Sequence, residues 1–141
     1  MKKPEIILLR GKAQAGKSTT ANVLHFEHGY LVDSFAYPIH LFVTTMMGRA
    51  HWEVPGNLKN VPQEVFGGKT PRQVMQSLGT EWGRDMVYQK IWTTRVINRI
   101  RPLVEEGYVK FVISDYRFDN EYSDLVEAFG SDAIRVFHIV R

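Results

Sequence analysis

Near its start the chain carries Gly11-Lys12-Ala13-Gln14-Ala15-Gly16-Lys17-Ser18, residues whose types and spacing suit them to holding phosphate. The pattern is G-x-x-x-x-G-K-[ST], and it has mechanical meaning only between a strand and a helix. The apolar run Ile6-Ile7-Leu8-Leu9 before it and the helical pattern after it supply that context. Glycines let the backbone fold tightly, so that successive N–H groups point at phosphate oxygens. The helix that follows brings its positive end to the same point. Lys17 can reach β- and γ-phosphates as a point charge, and Ser18 can ligate Mg²⁺. The candidate nucleotide-binding set is therefore Gly11, Ala13, Ala15, Gly16, Lys17, Ser18 and Thr19. A Gly-rich turn with no ligand is the plain alternative, and the flanking elements argue against it.

Two further groups suit the same chemistry. Asp115 follows four apolar or small residues and stands where a Walker B acid would, able to hold Mg²⁺ directly or through water. Capping of the next helix is the competing role for that carboxylate. Arg72, Arg84 and Arg117 each fall at or near the end of an expected element. Phosphoryl transfer needs cations around the moving group more than it needs a base, and planar guanidinium suits phosphate. Arg95, Arg99 and Arg101 lie along a helix face and read as solvated surface charge. The five histidines show no metal-ligand spacing and read as surface or structural. No Ser-His-Asp set argues for hydrolysis.

Several elements must position these groups. Residues 5–10 read as a strand buried on both faces, as in a parallel sheet. Residues 17–28 read as a helix closed by Gly29. Residues 30–33 form a short second strand, after which Asp33 or Ser34 should cap a helix to about residue 47. Between Gly48 and Gly68, prolines, glycines and asparagines break any long element, making this the candidate mobile segment. Thr70-Pro71 restarts a helix, with Thr70 as its cap. That helix should pause near Gly79 or Gly83 and continue through Val87, Ile91, Ile97, Ile100 and Val104 on one face. Pro102 should kink or end it. Residues 109–113 are another buried strand, 118–129 a helix closed by Gly130, and 133–140 a last strand. The order implies an α/β fold, an open, mostly parallel sheet with helices on both faces.

Composition bounds the rest. A chain of 141 residues builds one domain with one core. Its 44% hydrophobic and 23% charged content is that of an ordinary globule. No apolar run approaches the roughly 20 residues that span a bilayer. The short run after Met1-Lys2-Lys3 does not read as a secretory leader. Cysteine is absent from the sequence, which excludes thiolate metal sites and fits a cytoplasmic setting. A net charge of +3 suits a small polyanionic ligand and is too weak and scattered to argue for nucleic acid.

Three blocks carry a family resemblance. Gly67 to Arg84 resembles the T-P-R-x-x-x-Q-x-x-G-T-E-x-G-R signature of phage-type deoxynucleoside monophosphate kinases. Asp115-Tyr116-Arg117-Phe118-Asp119-Asn120-Glu121 is similar to that family's D-x-R-F-x-N-E motif, and Phe35-Ala36-Tyr37-Pro38 to its F-A-x-P turn. Tyr37 departs from the pattern, standing where the family often has an acidic residue. The resemblance implies a three-layer P-loop NTPase fold of the adenylate-kinase-like group, as a single domain with an acceptor-side lid or insert at about residues 48–69. It implies ATP and Mg²⁺, with Gly11, Gly16, Lys17 and Ser18 at the phosphates and Ser18 and Asp115 at the metal. Lys17, Arg72, Arg84, Arg117 and Asp115 would be the catalytic set. Arg72, Gln76, Arg84 and Arg117 would meet the acceptor, and Asp33 and Phe35 join that set because they follow the second strand, at whose C-terminal end ligands of such sheets bind. Gln76 suits a nucleobase, since an amide both donates and accepts. Phe35 or Trp82 could stack on a base, though core packing is the commoner use of an aromatic ring. The implied partners are small nucleotides, with no membrane and no nucleic acid. The location would be the host cytoplasm if the chain is phage-encoded, and homodimerisation stays open.

Two other readings remain. One is a P-loop kinase with another small acceptor, such as a metabolite hydroxyl, with Asp33 as the base. The other is a nucleotide-binding protein with little turnover. Related kinases extend past the position matching Arg141 with a second lid, a strand and an adenine loop, so no adenine contact is assigned.

Overall fold

Strand β1, Glu5–Arg10, is buried along its length, with Ile6, Ile7, Leu8 and Leu9 all at most 2% exposed. Successive side chains of a strand point to opposite faces. Ile6 and Leu8 enter one apolar cluster while Ile7 and Leu9 enter another. β1 must therefore be covered on both sides, and that requirement sets the layering.

The computed structural model describes residues 3–12 and 15–140. Ala13, expected in the phosphate loop, lies outside the described residues. Helix α1, Lys17–His28, follows the loop and ends at Gly29, whose φ of 75° suits glycine and whose N–H bonds His25 O at 3.1 Å. Strand β2 is Leu31–Asp33. Helix α2, Tyr37–Met46, leads to two single 3₁₀ turns, Gly56–Leu58 and Glu64–Phe66. Helix α3, Pro71–Gln76, runs into a π-helix, Ser77–Val87. Helix α4 is Ile91–Glu105, strand β3 Lys110–Ile113, helix α5 Asp119–Phe129 and strand β4 Ile134–His138.

All strands of the sheet are parallel, in the order β2-β3-β1-β4. Leu8 pairs with Ile113 on one side and Val136 on the other. The cluster on one face gathers Val96, Ile100 and Val104 of α4 with Leu125 of α5. The cluster on the other face gathers Ala21 of α1 with Tyr30 and Val112. This is the expected α/β fold, a parallel sheet between helical layers consistent with a three-layer P-loop NTPase-like architecture. No helix among the described residues is long and apolar enough to cross a membrane.

The chain divides into two compact units. The first runs up to Phe35 and resumes at Trp92, and it holds the sheet. The second is Ala36–Ile91. In the second, Ile39 and Val43 of α2 are buried with Val54. The segment expected to be mobile is organised by hydrogen bonds. Arg72 N bonds Lys59 O at 2.9 Å, and Gln63 N bonds Lys69 O at 3.0 Å. Trp52 packs among Tyr37, His40 and His51.

Four local expectations need correction. Neither Asp33 nor Ser34 caps α2, which begins at Tyr37 with no side-chain cap, because both residues are engaged elsewhere. The helix from Thr70 does not continue to Val104. It winds as a π-helix and breaks at Tyr88, which is extended (φ −166°, ψ 127°), before α4 restarts. The buried stripe of α4 is Trp92, Val96, Ile100 and Val104, with Val87 exposed. Of the two effects expected of Pro102, a kink or an end, the end is not found, since α4 continues to Glu105. The missing N–H costs one bond on an exposed face, and burial of Val104 in the core offsets it.

Candidate active site

The connection β1–α1–β2 leaves to one side of β1, and β3–α5–β4 carries the chain to the other. Ligands of open α/β sheets bind outside the C-terminal strand ends where the order reverses in this way. Here those ends belong to β1 and β3, which are neighbours. The phosphate-loop sequence follows β1 and Asp115 follows β3.

The loop geometry suits an anion. Gly16 immediately precedes α1 with φ 107°, a conformation that favours glycine. Helix α1 has no side-chain cap and no acidic residue in its first turn. Its leading N–H groups lack intrahelical acceptors, as at any helix start, and its dipole favours negative charge there. Ala15 N bonds Lys12 O at 3.1 Å. Gly11 is required for a different reason. A Cβ there would lie 2.6 Å from the carbonyl oxygen of Ile139, at the end of β4. The backbone of that segment bonds the loop's entry, Ile139 N to Arg10 O at 2.6 Å.

Asp115 joins the ends of two strands. Its Oδ2 accepts from Ser34 Oγ at 2.7 Å and its Oδ1 from Phe35 N at 2.8 Å. It does not cap α5. That role falls to the buried Glu121, whose Oε1 accepts from Arg117 N at 2.8 Å and Phe118 N at 2.9 Å. No group of three or more His, Cys, Asp or Glu among the described residues could hold a metal by itself. Mg²⁺ needs less, commonly one or two carboxylates with substrate phosphates and water. Asp115 follows β3, the neighbour of the strand that leads through the loop to Ser18 in α1, and a carboxylate with a hydroxyl suits that donor set.

Asp33 stands differently from expectation. Its side chain is 5% exposed and paired with two arginines, Arg95 Nη1 at 2.7 Å from Oδ1 and Arg99 Nη1 at 3.3 Å from Oδ2. A carboxylate so enclosed is a structural anchor and not a group offered to an acceptor. Phe35 is likewise corrected, since at 3% exposure it belongs to the core cluster beside the sheet and offers no face to a base. Trp82, by contrast, is not core and is 45% exposed.

The remaining expected residues fall in two places. Arg117 is exposed, just after β3, in the first unit. Arg72, Gln76 and Arg84 belong to the second. Arg72 Nε donates to Asn60 Oδ1 at 2.8 Å. Arg72, Gln76, Thr80 and Arg84 recur every four residues. In an α-helix four residues overshoot one turn, and in the wider π-helix they fall short of it. The two drifts oppose, so the row stays along one side. The neighbouring row, Pro71, Gly79 and Gly83, is buried. A Cβ on Gly79 would lie 3.0 Å from Ile39 Cδ1, so α2 packs closely over that glycine.

Beside the loop, the Arg10 guanidinium lies 5.6 Å from the centre of the Tyr116 ring. Burial pushes the Tyr116 phenol up, reinforced by Asp119 and opposed by Arg10, so the phenol stays protonated. At the opposite end of the sheet, burial and the hydrogen bond to Glu5 raise Tyr30 to about 12.

Comparison with known proteins points to phosphoryl transfer. The chain is similar to a protein of Acanthamoeba polyphaga mimivirus provisionally named deoxynucleotide monophosphate kinase. The two are 28% identical over 141 aligned positions, covering 93% of this chain and 72% of the relative. No protein-family model matches the chain. The relative's name supports a kinase-type phosphotransferase.

Sequence reasoning missed Ser34, Arg95 and Arg99. A hydroxyl following a strand was visible, but its partner is 81 residues away. The arginines sit on α4 at a spacing that looks the same whether the face meets water or a carboxylate.

Proposed function

We propose that the protein transfers the γ-phosphoryl group of ATP to a deoxynucleoside monophosphate, giving ADP and the corresponding diphosphate. The observation that carries this reading is the α1 start without a side-chain cap, with Gly16 before it, following the strand next to the one that Asp115 follows. Backbone N–H groups of the loop would hold the ATP phosphates, and Lys17 would oppose charge on the transferred group. Ser18 and Asp115 would hold Mg²⁺, which would supply neutralising charge at the phosphates. Arg72, Arg84 and Arg117 would clamp the acceptor phosphate, and Gln76 would meet its base. An acceptor phosphate is already ionised at neutral pH, so no general base is needed. A hydroxyl acceptor would need one, and Asp33 is buried against Arg95 and Arg99.

The test is ADP release from Mg-ATP with dAMP, dGMP, dCMP, dTMP and their ribose counterparts. Turnover that requires one or more monophosphates is expected. ADP release that none of them stimulates overturns the proposal. Arg72→Ala and Arg84→Ala should each raise KM for the acceptor by roughly 10-fold or more while KM for ATP stays near wild type, as loss of a charge-assisted phosphate contact implies. Unchanged acceptor kinetics in both variants would remove the clamp from the mechanism.

A further inference from the structure

The residues that follow β2 are tied to the residue that follows β3 in a particular way. Ser34 is 4% exposed, and its hydroxyl donates to Asp115 Oδ2 at 2.7 Å. Phe35 N donates to the other oxygen at 2.8 Å. Two donors on two oxygens fix the plane of the carboxylate. A carboxylate has about four lone-pair sites, so these two donors alone do not exhaust it.

Ser34 is itself held. Its N–H donates to Asp33 Oδ1 at 2.7 Å, and its carbonyl accepts from Arg95 Nη1 at 3.1 Å. The same Arg95 nitrogen binds Asp33 Oδ1 at 2.7 Å. Ser114 N bonds the Asp33 carbonyl at 3.1 Å, which joins the two strand ends next to Asp115. The residue that carries the hydroxyl is thus held at both its N–H and its carbonyl.

We propose that Ser34 is a positioning residue that fixes the orientation of the Asp115 carboxylate toward Mg²⁺, with Arg95 and Asp33 fixing Ser34 in turn. This rests on the reading of Asp115 as a group that holds the metal. Partners that orient a metal-binding carboxylate typically contribute about 10- to 100-fold to metal affinity or activity. A hydroxyl that merely pinned β2 to β3 would affect thermal stability and leave metal dependence alone.

The experiment measures binding of β,γ-imido-ATP by calorimetry as Mg²⁺ is titrated, with thermal melts alongside, for wild type, Ser34→Ala, Ser34→Thr and Asp115→Asn. Ser34→Ala should raise the Mg²⁺ concentration at half-maximal binding by about 10-fold, with binding near wild type at saturating Mg²⁺. Ser34→Thr keeps a hydroxyl and should return the midpoint toward wild type. Asp115→Asn should shift it at least as far as Ser34→Ala. If Asp115→Asn shifts the midpoint and Ser34→Ala changes only the melt, the role of Ser34 is overturned and that of Asp115 stands. If Asp115→Asn also leaves the midpoint unchanged, or wild type binds the analogue without regard to Mg²⁺, both fall.

Discussion

Lys17→Ala should lower ATP-dependent phosphoryl transfer by about 10²- to 10³-fold, the loss typical of removing a group aimed at charge that develops in the transition state. Lys17 is the first residue of α1, directly after Gly16, at the helix end where phosphate would bind. The loss should fall mainly on kcat. On the proposed reading, backbone N–H groups of the loop would remain in the variant and bind ground-state phosphates, whereas the ammonium would strengthen its interaction as charge moves toward the leaving oxygen. Alanine is the best helix former, so α1 should persist and the circular dichroism spectrum should stay that of wild type. Lys17→Arg should recover little, because a planar fork on a longer stem does not replace a compact point charge in a tight loop. Steady-state kinetics of the variants decide the matter. Turnover equal to wild type in Lys17→Ala would remove the phosphate loop from the mechanism.

Arg95→Ala should destabilise the fold by about 2–3 kcal/mol, the second large effect. Breaking a fully buried ion pair by removing one partner costs about 3–5 kcal/mol, because the other charge is left uncompensated. Asp33 is 5% exposed and cannot turn to water, which puts the site near that limit. Two features reduce the cost. The Arg95 side chain is 27% exposed, and Arg99 remains 3.3 Å from Oδ2. A melting temperature lower by roughly 5–10 °C is expected for a chain of this size. Arg99→Ala should cost less, about 1 kcal/mol or below, since that side chain is 37% exposed and its contact longer. Urea or thermal unfolding of the two variants measures the order. A loss under about 0.5 kcal/mol in Arg95→Ala would mean that the pair behaves as a solvated surface bridge.

Much of the scaffold could be read locally. The buried run of β1, the start of α1 after the glycine loop, the stop at Gly29 and the Thr70-Pro71 restart are each encoded by residues within a few positions of the feature. Thr70 shows this directly. Gln73 N bonds its hydroxyl at 3.2 Å, and its own N–H bonds the Gln73 side chain at 2.9 Å, a reciprocal cap written in neighbouring residues. The winding that keeps Arg72, Gln76, Thr80 and Arg84 in a row was not legible locally. No glycine or proline marks the break at Tyr88. The wide helix before it accompanies the close approach of α2 at Gly79, a contact between elements 40 residues apart in sequence.

By itself the sequence determined the strand before the glycine-rich loop and the helix after it, the alternation of elements that yields a parallel sheet, and the residue types that can bind phosphate and Mg²⁺. Those are consequences of backbone sterics, hydrophobic period and side-chain chemistry, all of which act over short spans. Tertiary structure decided which charges are used. Arg95 meets Asp33 across 62 residues, and Ser34 meets Asp115 across 81. Asp33 and Phe35 read as acceptor contacts because they follow a strand, yet the fold buries both, one as an ion-pair anchor and the other in the core. A hydrogen bond or ion pair depends on distance and burial, and only the packed sheet brings the ends of β2 and β3 close enough to set either.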